Sequence, residues 1–157
     1  ACMPDGHKVS SSIIRRLLGE GNVHEAALLL SYDYMLMGRV VAGQQLGRRI
    51  GFPTANIECN TTPKIIPANG VYAVRVYLED GIERCGMLNI GTRPTVEGSD
   101  HARSIEVHIF DFDQSIYGQQ IRIEFVDYMR PERRMEDIEA LRYQLQRDRE
   151  VARGLLI

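Results

Sequence analysis

Residues 71–90 read VYAVRVYLEDGIERCGMLNI, two runs of branched, aromatic and apolar residues separated by turn residues. Valine, isoleucine and tyrosine favour strands, and an Asp-Gly pair between such runs is typical of the turn that joins two strands. This stretch therefore predicts one strand over residues 71–78 and a second over residues 84–90.

The same pattern of short apolar runs separated by turn residues continues on both sides of this stretch. Further strands are predicted over residues 35–42, 54–58, 104–110 and 121–129, with Gly, Pro, Asn and Asp between them. Because no helical pattern separates the strands, they favour an antiparallel barrel over a parallel sheet. The expected fold class is therefore mainly β, a six-stranded antiparallel barrel.

Short helical patterns flank the strands. The run Ser10–Ser12 offers N-cap hydroxyls for a first short helix, which ends at Gly19. Asn22, with Glu25 three residues later, resembles the capping box of a second short helix. After the last strand, Pro131 is expected in the first turn of an amphipathic C-terminal helix that packs on the barrel.

The composition excludes several classes of protein. The chain has 157 residues, of which 44% are hydrophobic and 25% charged, and its formal net charge is −2. A charge this small gives no field that holds a polyanion, so nucleic-acid binding is disfavoured.

The longest apolar run, Ala26–Leu30, is far shorter than the roughly 20 residues that cross a bilayer. Without an apolar secretory signal either, we expect a cytoplasmic protein with no membrane partner.

Cysteine and histidine do not form a recognisable ligand set. The three cysteines lack CxxC spacing, and the four histidines include no HExxH motif. Neither a disulfide framework nor a zinc site is predicted.

A glycine-rich segment separates the first two predicted strands. Gly43, Gly47 and Gly51 recur at every fourth position, and Arg48 and Arg49 add positive charge between them. Because a backbone without side chains can approach an anion closely, one interpretation is a phosphate-binding loop. The other is an ordinary connection between two strands. The segment is neither a Walker A motif nor a GxGxxG motif, and its glycine spacing leaves both interpretations open.

Two oxygen-bearing side chains follow this segment. Thr54 and Asn56 lie two positions apart on a predicted strand, so both should project from the same face. Mg²⁺ is commonly held by few protein oxygens together with water and substrate phosphates. The pair therefore suggests a Mg·ATP site, although Thr-x-Asn is also common in turns. Because the chain has only two lysines, a metal ion, arginine or backbone N–H groups would have to neutralise phosphate charge.

Glu106 is a carboxylate within the fifth predicted strand. Alternation along residues 104–110 places three apolar residues on one face and Glu106 with His108 on the other. The ordinary interpretation of Glu106 is a solvent-facing residue. The functional interpretation is a general base for a hydroxyl nucleophile, as carboxylates provide in kinases.

Five motifs, in this order along the chain, are similar to those of riboflavin kinases. They are GRRIGFPTANI at 47–57, GVYA at 70–73, NIGTRPT at 89–95, IEVH at 105–108 and RPE at 130–132. The resemblance extends from about Tyr34 to the C-terminus and implies a barrel with Greek-key connections. It also implies the reaction, transfer of the terminal phosphate of ATP to the 5′-hydroxyl of riboflavin to give FMN.

The resemblance also implies roles for individual residues. The residues that it implies for ATP and phosphate binding are Gly43, Gly47, Arg48, Gly51, Pro53, Thr54 and Asn56. Thr54 and Asn56 would in addition hold Mg²⁺. Glu106 would be the base that prepares the riboflavin hydroxyl, and Arg130 and Asp148 are candidates on the flavin side.

The start of the chain resembles a different module. Residues 8–15, KVSSSIIR, are similar to the closing motif of the nucleotidylyltransferase module that precedes the kinase in bacterial bifunctional FAD synthetases. We therefore expect residues 1–33 to be a helical remnant or linker of that upstream module, and residues 34–157 to be the kinase domain. Because no HxGH-type motif is present, the chain should not adenylylate FMN.

A protein of another class remains as the alternative, a barrel that binds flavin or nucleotide without turnover. Loss of the base or of the metal pair would indicate such a module. Glu106, Thr54 and Asn56 are all present, which favours the enzyme.

Overall fold

The structure is a computed structural model that describes residues 11–41, 51–59, 65–94, 101–112, 114–133 and 135–156. Its elements, in chain order, are α1 (Ser11–Gly19), α2 (Val23–Leu30), β1 (Met35–Val41), β2 (Ala55–Cys59), β3 (Gly70–Tyr77), β4 (Glu83–Pro94), β5 (His101–Ile109), β6 (Gln120–Arg130) and α3 (Ile138–Leu156).

The six strands form a closed antiparallel barrel in the order β1-β2-β5-β4-β3-β6. The predicted fold class is therefore confirmed. β3, β4 and β5 are neighbours in chain order, and β6 returns to pair with the far edge of β3. That is a Greek-key arrangement, as the resemblance implied.

Alternate residues of every strand fill the barrel interior. One buried residue from each strand, in chain order, is Leu36, Ile57, Tyr72, Leu88, Val107 and Phe125. Ile105 and Ile109 belong to the same interior cluster as Val107. Because side chains alternate along a strand, Glu106 and His108 lie on the outer face, as the sequence predicted.

The helical hairpin α1–α2 packs against the barrel. Leu18, Val23 and Ala26 are completely buried and belong to the cluster that fills the interior. The backbone N–H of Ala68 also donates to the carbonyl of Leu18 at 2.9 Å. The hairpin and the barrel therefore share a core. The division at residue 33 between an upstream module and the kinase domain stays a prediction.

Asn22 is the N-cap of α2, as predicted, but the capping box is wrong, and so is the helix start predicted at Pro131. Asn22 makes no side-chain cap bond to α2, and its Nδ2 donates to Glu20 at 3.3 Å instead. With φ −80° and ψ 60°, its backbone lacks the extended conformation that directs an N-cap side chain to the helix. Pro131 directly follows β6, and α3 begins only at residue 138. There Asp137 provides the cap, accepting a hydrogen bond from the N–H of Ala140 at 2.8 Å.

β4 is longer than the sequence predicted, because it pairs with β5 through to Pro94. β5 likewise begins three residues early, at His101. Each strand provides hydrogen-bonding partners for the other, which local residue preferences do not reveal. Among the helices that the structure describes, none has the length and apolar character to cross a membrane.

Candidate active site

A groove lies between the outer face of the barrel and α3. Its apolar lining comes mainly from Phe52, Val71, Met87, Leu141 and Leu145. Its polar lining comes from Thr54, Asn89, Glu106, His108, Arg130, Glu132, Arg133 and Asp148. The apolar lining therefore suits a flat aromatic group, and the polar lining offers both charges and hydrogen-bonding groups.

Three polar side chains form a row across the strands, and two of them, Asn89 and Glu106, line this groove. The strand register places Glu106 of β5 directly opposite Asn56 of β2 on one side and Asn89 of β4 on the other. Directly opposed residues in antiparallel strands project to the same side of the sheet, with Cβ atoms roughly 5 Å apart. Glu106 and the predicted metal ligand Asn56 are thus neighbours, and both are half-buried.

The segment that leads into β2 carries the next three predicted residues. Gly51 is exposed and has φ 87°, a backbone conformation that glycine adopts without steric cost. Pro53 and Thr54 are half-buried, and Thr54 lines the groove one residue before β2 begins. Gly43, Gly47 and Arg48 lie outside the described residues, so their predicted phosphate contacts stay predictions.

His108 lines the groove and is buried. Its Nδ1 lies 2.7 Å from the carbonyl oxygen of Pro53, which can only accept a hydrogen bond. Nδ1 therefore carries the hydrogen. The ring makes edge contacts with Phe52 and Phe110, at centroid distances of 5.3 and 5.7 Å.

The surroundings of His108 favour its neutral form. Burial lowers its pKa most, and Arg149 and Arg153 on α3 lower it further, whereas the hydrogen bond to Pro53 and the charge of Asp111 act in the opposite direction. A neutral imidazole with hydrogen on Nδ1 is therefore the form that the site holds near neutral pH.

Arg130 and Asp148 form a two-pronged ion pair that ties β6 to α3. The Nε of Arg130 donates to Oδ1 of Asp148 at 2.9 Å, and a terminal guanidinium nitrogen donates to Oδ2 at 2.7 Å. Gln144 also donates to Oδ1 at 2.9 Å, and Asp148 is only 2% exposed. The two flavin-side candidates thus lie together at the groove, and their contact also holds α3 against the barrel.

Asn89, Gly91 and Glu132 belong to two of the five motifs, but the sequence does not indicate a site role for them individually. The Nδ2 of Asn89 lies 3.5 Å from Oε1 of Glu132. A Cβ atom on Gly91 would overlap the Glu132 carboxylate, so a larger residue there would require the Glu132 side chain to move. The two motifs are about 40 residues apart in the sequence. Only strand pairing brings them together, although their presence as motifs was a usable signal.

The comparison with protein families decides the family of the chain. A family model described as Flavokinase, riboflavin kinase, matches residues 30–156. The chain belongs to the riboflavin kinase family. The riboflavin kinase match includes every strand of the barrel and α3, and thus all elements that line the groove.

The curated relatives of this chain are described as proteins with two functions. A bifunctional riboflavin kinase/FMN adenylyltransferase of Haemophilus influenzae is 41% identical over 150 residues, which are 96% of this chain and 47% of that protein. The Bacillus subtilis protein of the same description is 42% identical over 146 residues, 92% of this chain and 46% of that protein. The chain therefore spans about half the length of the curated relatives it matches.

Two solved structures share the barrel. A crystal structure described as a macrolide-efflux protein from Streptococcus pneumoniae superposes with a TM-score of 0.88 at 35% identity, over 98% of this chain and 49% of that chain. The riboflavin kinase of Trypanosoma brucei superposes with a TM-score of 0.54 at 21% identity, over 80% of both chains. At this identity the second comparison supports the fold alone.

Proposed function

We propose that this chain is a riboflavin kinase, which transfers the γ-phosphate of ATP to the 5′-hydroxyl of riboflavin and releases FMN and ADP. The observation that carries the proposal is the strand register that sets Glu106, which lines the groove, directly between Asn56 and Asn89. A carboxylate, the hydroxyl of Thr54 and several apolar side chains line that groove, in a chain of the riboflavin kinase family, and these support the proposed roles of base, metal ligand and flavin-binding wall.

Glu106 takes the proton in the proposed reaction. Its carboxylate accepts the hydrogen of the 5′-hydroxyl while that oxygen bonds to the γ-phosphorus, and the bond between the γ-phosphorus and the β,γ-bridging oxygen breaks to release ADP. Phosphoryl transfer depends mainly on positioning and charge neutralisation, so a serine or cysteine nucleophile is not required.

Thr54 and Asn56 have the donor atoms that suit Mg²⁺. Both offer neutral oxygens, and the described residues include no group of three or more His, Cys, Asp or Glu that would form a cage around an ion. Mg²⁺ retains waters and substrate phosphates and needs few protein ligands, so the pair fits this ion. When bound, Mg²⁺ would neutralise negative charge on the transferred phosphate.

The remaining predicted residues divide between the two substrates. Gly43, Gly47, Arg48, Gly51 and Pro53 would surround the ATP phosphates. The flavin ring would pack on Leu141 and Leu145 of α3, with Arg130 and Asp148 at one end of the groove. A cytoplasmic location stays a prediction.

Incubation with riboflavin, ATP and Mg²⁺, followed by chromatography, tests the proposal directly. We expect FMN to accumulate in proportion to the enzyme present. Quenching of riboflavin fluorescence without any FMN above the no-enzyme control would instead support the barrel that binds flavin without turnover.

Asn56→Ala and Thr54→Ala are each expected to raise the Mg²⁺ concentration for half-maximal activity by at least about 10-fold. Removing a residue that only supports the ligands of a metal already weakens metal binding by about that factor. Riboflavin affinity, measured by fluorescence titration without ATP, should change little, because the flavin would lie on the α3 side of the groove. Asn22→Ala, at an exposed position between α1 and α2, is the matched control. Unchanged Mg²⁺ dependence in both variants would place the metal ligands elsewhere.

FMN is expected to be the end product of this chain even with excess ATP. The printed sequence contains no HxGH-type motif, so no adenylyl transfer to FMN is expected. We propose that the whole protein also contains an FMN adenylyltransferase module, as the names of its curated relatives indicate for those proteins. Chromatography after long incubation checks this, and FAD formed by a purified preparation would contradict it.

A further inference from the structure

His108 is a buried group that the proposed reaction does not use. It lies two residues after Glu106 on β5 and is 7% exposed. Its Nδ1–H donates to the carbonyl of Pro53 at 2.7 Å. Pro53 immediately precedes Thr54, so the imidazole connects the strand of the proposed base to the segment of a proposed metal ligand.

The backbone contact between these two segments is short. In the described residues, two register pairs join β2 to β5, Ala55 with Val107 and Asn56 with Glu106, whereas nine join β4 to β5. The ladder cannot continue through Pro53, because proline has no N–H to donate. The His108 side chain therefore holds the chain at the point where the strand ladder has ended.

Packing fixes the orientation of the His108 ring. Phe52 and Phe110 contact it edge-on, and Phe52 is itself only 3% exposed. From α3, the guanidinium of Arg149 lies 5.1 Å from the Phe52 ring centre, and that of Arg153 lies 5.1 Å from the Phe110 ring centre. A ring held in this way has little freedom to exchange its hydrogen-bond partner.

We propose that His108 is a positioning residue, whose Nδ1–H holds the Pro53 carbonyl and thereby sets Thr54 at the groove beside Glu106. The inference rests on the proposed function, because the role of Thr54 toward Mg·ATP is part of that function. His108 does not act as the base in this scheme, since Glu106 takes the proton.

A matched pair of variants isolates the hydrogen bond. His108→Asn keeps a nitrogen donor attached to Cγ, where the imidazole has Nδ1, and so can still donate to Pro53. His108→Leu has nearly the same shape as asparagine but no donor. Without a donor, the buried carbonyl of Pro53 would lose a hydrogen bond, at a cost in free energy equivalent to about 10-fold in an equilibrium constant. We therefore expect His108→Leu to raise the half-saturating concentration of Mg·ATP by about 10-fold, and His108→Asn to return it to within about threefold of wild type.

The affinity for riboflavin distinguishes a positioning role of His108 from general damage to the fold. Riboflavin titrations without ATP should give the same Kd for wild type, His108→Asn and His108→Leu. If the asparagine variant is as impaired as the leucine variant although both are folded, the hydrogen bond to Pro53 is not the reason, and the inference fails. If His108→Leu does not fold, His108→Gln, whose amide lies one carbon farther out, replaces it as the mismatched donor.

A double-mutant cycle tests whether the effect passes through Thr54. If His108 acts by setting Thr54, adding His108→Leu to Thr54→Ala should raise the half-saturating Mg·ATP concentration by less than about twofold more. Groups that act as one unit are not additive in this way. Full additivity of the two changes would contradict a shared role.

Hydrogen exchange gives a readout that does not depend on activity. Backbone amides of residues 54–58 should exchange faster in His108→Leu and return toward wild type in His108→Asn, while amides of β3 stay unchanged. If wild type makes no FMN but exchange follows this order, the proposed function fails and the positioning contact stands. If wild type makes FMN and His108→Leu alters neither exchange nor Mg·ATP saturation, the positioning inference fails alone.

Discussion

Replacing Glu106 with glutamine is expected to lower the kcat of FMN formation by about 10²- to 10⁴-fold, which is the usual contribution of a general base. This range corresponds to roughly 3 to 5 kcal/mol of activation free energy. Glutamine keeps the shape and one acceptor oxygen but cannot take a proton. The half-saturating concentration of Mg·ATP should change little, because phosphate positioning belongs to the glycine segment and the proposed metal.

Two comparisons make the Glu106 prediction decisive. Glu58→Gln removes the same charge from an exposed position on the neighbouring strand β2, and it should leave kcat unchanged. His108→Gln should cost much less kcat than Glu106→Gln, with its main effect on Mg·ATP saturation. A nearly normal Glu106→Gln enzyme beside a His108→Gln enzyme with severely reduced kcat would transfer the role of base to the histidine.

Replacing Arg130 with methionine is expected to lower the free energy of unfolding by about 3 kcal/mol. Removal of one partner from a buried ion pair leaves the other charge uncompensated, at a typical cost of roughly 3 to 5 kcal/mol. The lower end applies because the Arg130 side chain is 21% exposed, whereas that of Asp148 is 3% exposed. Urea unfolding followed by circular dichroism measures the change.

The control for Arg130 is Arg142, which lies on α3, the helix that carries Asp148. Arg142 pairs with Glu139 at 3.2 Å, but the Glu139 side chain is 78% exposed, so Arg142→Met should cost less than about 1 kcal/mol. Arg130→Met combined with Asp148→Leu should recover part of the loss, because no buried charge is then left without its partner. Equal destabilisation by Arg130→Met and Arg142→Met would show that the buried pair has no special role in holding α3.

The strands and the direction of their side chains were predictable from the sequence. Alternation is a local steric property of an extended backbone, so the outward projection of Glu106 and His108 followed from the identities of their neighbours. Motifs already indicated Thr54, Asn56 and Glu106 as site candidates, and the roles proposed for them here still rest on that pattern. Helix capping was less predictable. Asn22 is the N-cap of α2 but its side chain bonds to Glu20, and Pro131 follows β6 without beginning α3.

The neighbours of each side chain were decided only by the tertiary structure. Asn56 and Glu106 are 50 positions apart in the sequence, and the pairing of β2 with β5 sets them opposite each other. The partners of His108 and Arg130 were equally hidden, since Pro53 and Asp148 lie in different elements from theirs. The sequence by itself determined where the strands lie and which way their residues face, because these are near-neighbour effects, whereas the additional length of β4 and β5 came from their pairing. Closure of the barrel determined which strands meet, because burying one shared core depends on the whole chain at once.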